Sequence, residues 1–286
     1  LWAVCIPVGS RLAELLPSDS RQLAVAYFSP ALGLAAYCLI ADVFGWLWPF
    51  STLWCGAITL LVTGLAWWQE KNRGALVRRI GWTCLISVVA SFPILAGIWR
   101  FEAFNPFTDT YTYLEHAQWL QSNPFRISPE LSGYHPGTTQ IYLYQQLQER
   151  MGASFLLAWI QATTAQEWSY LVYPTLAGAF LTIAALGAAG VLHSFTGQNR
   201  RFACFIGIMS VLLPGGMRFG ALYGFLPQSA GLAFALPGLF LAASLLRTTA
   251  VSTAYDHPRK YLPAAVLLAG AAVSYFALIP FMVLSI

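Results

Sequence analysis

Residues 171–192 read LVYPTLAGAFLTIAALGAAGVL, twenty-two positions without one charged side chain. As a helix at about 1.5 Å per residue, this stretch spans about 30 Å, the thickness of a bilayer's hydrocarbon core. Similar runs occur at residues 23–43, 50–68, 80–99, 228–246 and 261–286. Residues 202–214 are apolar but too short to cross unaided. They lead through Gly215 and Gly216 into a mildly apolar stretch, which predicts a short helix and then a partly embedded loop. Residues 1–8 read as the tail of one more span, and the apolar chain ends read as those of a segment of a longer protein.

The composition points the same way. Of 286 residues, 58% are hydrophobic and only 9% are charged, where a soluble domain carries about 25%. Mean hydropathy is +0.62. Disordered chains, small disulfide scaffolds and water-soluble enzymes are excluded by these values. Cys5, Cys38, Cys55, Cys84 and Cys204 lie in or near apolar runs without a C-x-x-C pair, so neither a zinc site nor a disulfide framework is indicated. The fold class expected is all-α: a polytopic transmembrane bundle of about seven spans, with amphipathic interfacial helices in one long non-cytoplasmic loop.

Seven crossings alternate sides, and the basic residues test that count. Arg11, Arg21, Lys71, Arg73, Arg78, Arg79, Arg200, Arg201, Arg247, Arg259 and Lys260 fall on one side. Only Arg100, Arg126, Arg150 and Arg218 fall on the other. The positive side is cytoplasmic, which puts residues 100–170 outside. A loop that long is functional or disordered, and this one carries helical periodicity. Asp109, Tyr113 and His116 stand at i, i+4 and i+7, on one face of a helix that Asn123 and Pro124 end. A second stretch follows Gly133-Tyr-His-Pro-Gly137, with Thr138 or Thr139 as its cap and Ile141, Tyr144, Leu147 and Met151 at helical spacing. Residues 155–160 extend it. A crossing here would undo the charge asymmetry, so this stretch is expected along the outer interface.

A span entering an outer loop, an acid soon after it and two surface helices resemble the GT-C glycosyltransferases, which use polyprenyl-phosphate sugars. The run Asp109-Thr-Tyr-Thr-Tyr113-Leu-Glu-His-Ala117 resembles that family's acidic loop and following helix. Tyr134-His135-Pro136-Gly137 stands where members have a Pro-containing turn. The likeness covers residues 80–286, with residues 1–79 as extra N-terminal spans and the module cut at its C-terminus. One departure is that Thr110, not a second acid, follows Asp109. The resemblance implies a multi-pass enzyme of the bacterial inner membrane with the long loop outside. Its partners would be membrane lipids, a polyprenyl-phosphate-linked sugar, and a glycan or lipid acceptor. Nucleic acid is not among them.

In such an enzyme Asp109 would deprotonate or orient the acceptor hydroxyl as it attacks the anomeric carbon. The phosphate leaving group benefits from Arg, His or a divalent cation nearby, and one acid suffices. Asp109 reads as a base or metal ligand, or as the cap of its helix, and the two roles are compatible. His116 and His135 have no spaced metal-binding partner and fit hydrogen bonding to substrate or to a neighbouring turn. Tyr113 joins them as a substrate-binding candidate. Arg218 is the lone charge in residues 202–226, placed either to snorkel to headgroups or to meet a lipid phosphate. Glu102 reads as a solvated interfacial charge. Asp42, among Phe44, Trp46 and Trp48, reads as interfacial or as a buried functional group. No Walker loop or dinucleotide fingerprint appears, which speaks against a nucleotide-sugar donor. The competing classes are a transporter or flippase, whose midplane charges and repeats are missing from the spans, and a non-catalytic membrane subunit.

Overall fold

The structure is a computed structural model describing residues 1–101, 108–131, 136–147, 151–213, 215–251 and 257–284. Among the described residues all regular structure is helical. The helices are α1 (Trp2–Ala13), α2 (Ser18–Leu23), α3 (Ser29–Leu47), α4 (Thr52–Gln69), α5 (Arg73–Ala90), α6 (Phe92–Phe101), α7 (Thr108–Ser122) and α8 (Pro136–Leu147). They continue with α9 (Met151–Thr163), α10 (Ser169–Thr196), α11 (Arg200–Leu212), α12 (Gly216–Tyr223), α13 (Leu226–Val251), α14 (Leu262–Ser274) and α15 (Ile279–Leu284).

Among the described residues three helical stretches are long and apolar enough to cross a membrane: Ser20–Leu47, Ser169–Thr196 and Leu226–Arg247. Two bent pairs raise the number to five when each counts as one span. This is a multi-pass membrane protein, with α4 standing outside that set. Residues 80–99, expected as one straight span, are bent by 61° between α5 and α6. Pro93 follows the break; its ring cannot donate to the preceding turn and clashes with it. The last apolar run is likewise bent, by 119°, where Tyr275 turns extended and Pro280 stands shortly beyond. The embedded loop expected after residue 214 is instead the short helix α12.

Backbones approach closely where α1 crosses α3 antiparallel. Gly9 lies on the Ser29 carbonyl and Gly33 on the Cys5 carbonyl, leaving no room for a Cβ at either glycine. Small residues permit such contact, which carries helix association in membranes. One apolar core includes residues from both sides of position 79. Phe50 meets Trp159 edge-on, and Gly270 sits against Ala35.

The second stretch of the long loop departs from expectation. Its helix begins at Pro136, in the first position that a proline tolerates, so Thr138 and Thr139 lie inside it. α8 is exposed on one side, but α9 is not an interfacial helix. Ala153, Phe155, Leu156, Leu157, Ala158 and Trp159 are all buried. Residues apolar on every face of a helix favour burial over a half-wet interface. Phe155 packs against Gly45 of α3, and Trp159 Nε1 donates to Thr59 Oγ1 of α4 at 3.0 Å.

The chain ends of these helices sort by chemistry. Arg11 pairs with Glu14 at 2.7 Å and with Glu70 at 3.6 Å, while Arg79 also reaches Glu70 at 3.6 Å. Arg79 Nη1 further donates to Ser10 Oγ at 2.8 Å. These contacts gather the end of α1 and the α4–α5 connection. At the opposite end of α3, Phe50 N donates to Leu120 O at 2.8 Å and Phe125 N to Gly45 O at 2.9 Å. Trp46 packs edge-on against Phe125 at 4.3 Å.

Candidate active site

α7 presents Thr110, Tyr113, Leu114, Ala117 and Leu120 to the bundle and leaves Tyr111, Glu115 and Gln118 exposed. That spacing of three, four and seven residues is one helical face. Polar contacts fix the helix along its length. Ser169 Oγ donates to Leu114 O at 3.0 Å, Gln121 Nε2 to Ala158 O at 3.1 Å, and Gln161 Nε2 to Gln118 Oε1 at 3.0 Å. The helix begins at Thr108, so Asp109 lies inside the first turn rather than at the cap. An acid there is favoured by the positive helix end. The Asp109 side chain itself lies outside the described residues.

α12 meets the same turn. It ends at Gly224, whose φ of +83° gives the left-handed turn that glycine adopts without penalty. Gly224 is pressed against the Thr110 side chain so closely that a Cβ would overlap Thr110 Oγ1. Arg218 stands six residues before Gly224, about 9 Å along the helix axis. It is half-buried, and its Nη1 donates to Leu212 O at 3.0 Å at the end of α11. That contact employs one of the five donors of a guanidinium.

Tyr113 and His116 point into the core. Tyr113 is buried and meets Tyr144 of α8 edge-on at 6.1 Å. His116 is 1% exposed, with ring centroids 5.8 Å from Phe125 and 6.2 Å from Phe155. Neither of its ring nitrogens has a hydrogen-bond partner. Burial disfavours the charged imidazolium and pushes its pKa down from 6.5 to about 3. Among the described residues Thr110 Oγ1 and Trp119 Nε1 are also buried without hydrogen-bond partners, on the same helix as His116. His135 and Glu102 lie outside the described residues. Asp42 is half-buried near the end of α3. Among the described residues no three His, Cys, Asp or Glu side chains come together as a cation site.

A groove of about 430 Å³ opens at the α5–α6 bend, walled by Leu95, Ile98, Leu171 and Pro174, with Ser91 and Thr175 among its polar atoms. α6, which forms one wall, also packs against α12. Sequence reading picked Asp109 and Arg218 one at a time. It missed Thr110 and Gly224, the pair that brings their helices together. The available signal was a lone Gly after the apolar turn Ala221-Leu-Tyr223, the usual mark of a helix C-terminus. No family model, curated protein or solved structure matches the chain.

Proposed function

We propose that the protein is an integral membrane glycosyltransferase that moves a sugar from a polyprenyl-phosphate donor to an acceptor on the non-cytoplasmic face. The observation that carries this reading is the contact of Gly224 with Thr110, which sets the end of the Arg218 helix against the first turn of α7, the turn that contains Asp109. Transfer from a lipid phosphate needs a base for the acceptor and a cation for the leaving group, on neighbouring but separate elements. Asp109 serves as the base and Arg218 as the phosphate partner. The groove at the α5–α6 bend is wide and apolar enough for part of the lipid chain. Tyr113 and His116, both buried, are positioning residues for the α7 turn, and His135 is a candidate for binding the acceptor. The membrane is the bacterial inner membrane, crossed about seven times, with the end rich in arginine toward the cytoplasm.

The test is sugar transfer from a polyprenyl-phosphate donor by the full-length protein in liposomes. Arg218→Lys keeps the charge but loses the forked geometry, so the donor KM should rise modestly, and Arg218→Ala should raise it further. A donor KM unchanged in both variants would remove Arg218 from the phosphate.

A further inference from the structure

The arginine-rich end holds a second amphipathic feature, apart from the α7–α12 corner. In Ser20–Leu47 the backbone passes through a π-helical turn at Ala24–Phe28, just before Pro30. Proline has no N–H, so the Ala26 carbonyl loses the donor that α-helical pairing would supply. Arg200 Nη2 takes that place at 3.3 Å, and the guanidinium lies 5.4 Å from the Tyr27 ring centroid. Arg200 is therefore held at a defined point at the start of α11, next to the exposed Arg201.

Two cavities share Arg200. One, of about 550 Å³, runs between α5 and α11 and is walled by Trp82, Leu85, Val89, Phe205 and Ile208, with Arg200 and Arg201 at its mouth. From Arg200 to Ile208 the groove follows α11 for about 12 Å. The other, of about 460 Å³, has a mixed lining in which Ser20, His193, Ser194 and Ser244 stand among Leu23 and Phe240. Tyr27, 2% exposed, also lines it, and its hydroxyl has no hydrogen-bond partner. An apolar slot and a chamber bearing hydroxyls meet at Arg200, beside Arg201, and match the acyl chain, headgroup and phosphate of a phospholipid.

We propose that this feature binds an anionic phospholipid of the cytoplasmic leaflet. The acyl chain lies between α5 and α11, the phosphate on Arg200 and Arg201, and the headgroup hydroxyls against Tyr27 and the serines. Charge complementarity selects the occupant. Two exposed arginines beside an apolar groove attract an anionic lipid, and each basic residue near such a surface contributes about fivefold in binding. The inference rests on the chain being membrane-embedded and is independent of the transferase reading.

The experiment is native mass spectrometry of the full-length protein in detergent, offered equal amounts of phosphatidylglycerol and phosphatidylcholine. The wild type should retain phosphatidylglycerol preferentially. Arg201→Gln should weaken that retention about fivefold, and the double change with Arg200→Gln about 25-fold, leaving phosphatidylcholine retention alone. Because Arg200 also holds the Ala26 carbonyl, Arg201→Gln provides the comparison if the double variant unfolds. Ile208→Trp fills the groove and should reduce retention with both arginines present. Soluble glycerol phosphate should not displace the lipid. Equal retention of the two lipids, an unchanged preference in Arg201→Gln, or displacement by glycerol phosphate would each overturn the proposal.

Discussion

At one end of the molecule Glu70 holds two arginines and the Asn72 N–H; at the other, α7 buries polar atoms that have no hydrogen-bond partner among the described residues. Arg11, Glu14, Glu70 and Arg79 close a network with side chains 10–46% exposed. Charges paired there link the α1 and α5 helices and are a structural device. Around α7, His116, Thr110 and Trp119 are buried without partners. Such groups cost stability, and a fold keeps them where they serve something else. The contrast is one of degree: one end ties its carboxylates to arginines, although Arg11 Nε and the Tyr27 hydroxyl stay unpaired there, and the other buries His116, Thr110 and Trp119 on the helix that bears Asp109.

Variants at each end can break that contrast. Glu70→Gln removes the carboxylate shared by Arg11 and Arg79. A fully buried pair would cost about 3–5 kcal/mol, but the 3.6 Å separations and partial exposure reduce this to roughly 1–2 kcal/mol. Thermal unfolding in detergent should show the loss, and an unchanged midpoint would mean that the network holds nothing.

His116→Leu should act in the opposite direction. It removes two unpaired nitrogens and should stabilise the protein by about 1 kcal/mol at neutral pH. It should also flatten the pH response. A folded pKa near 3 against 6.5 unfolded means that the unfolded chain binds the proton first. Stability is therefore full above pH 6.5 and falls as the pH drops from 6.5 towards 3. Between pH 7.5 and 5.5 the wild type should lose about 1.3 kcal/mol more than the variant. Equal slopes would show that His116 finds a partner in solution.

Thr110→Val has the smallest expected effect on stability, a change of under about 1 kcal/mol, because the hydroxyl it deletes is unpaired. A larger destabilisation would reveal a hydrogen bond at that position and blur the contrast between the two ends.

The runs at residues 171–192 and 228–246 are legible as spans because length and lack of charge suffice. Residues 80–99 are legible as apolar, but Pro93 bends them, and a proline inside such a run was the available warning. α9 was misjudged for a physical reason. The expectation that it does not cross came from counting arginines on each side, which says nothing about whether the helix lies on the bundle or within it. Its apolar character on every face settles that in favour of burial. The helical face of Asp109, Tyr113 and His116 was readable from spacing, yet spacing could not say which side of α7 faces the core. The meeting of α7 with α12 depends on Gly224 and Thr110, more than a hundred residues apart, and no local pattern encodes it.

The central claim rests on Asp109. Asp109→Asn keeps the size of the side chain but removes its basicity. General acid–base catalysis contributes about 100- to 10,000-fold. Transfer of sugar from a polyprenyl-phosphate donor by the full-length protein in liposomes should fall by that order, with the unfolding midpoint unchanged. Wild-type turnover in the Asn variant would contradict the account and leave Asp109 as a residue that merely starts a helix.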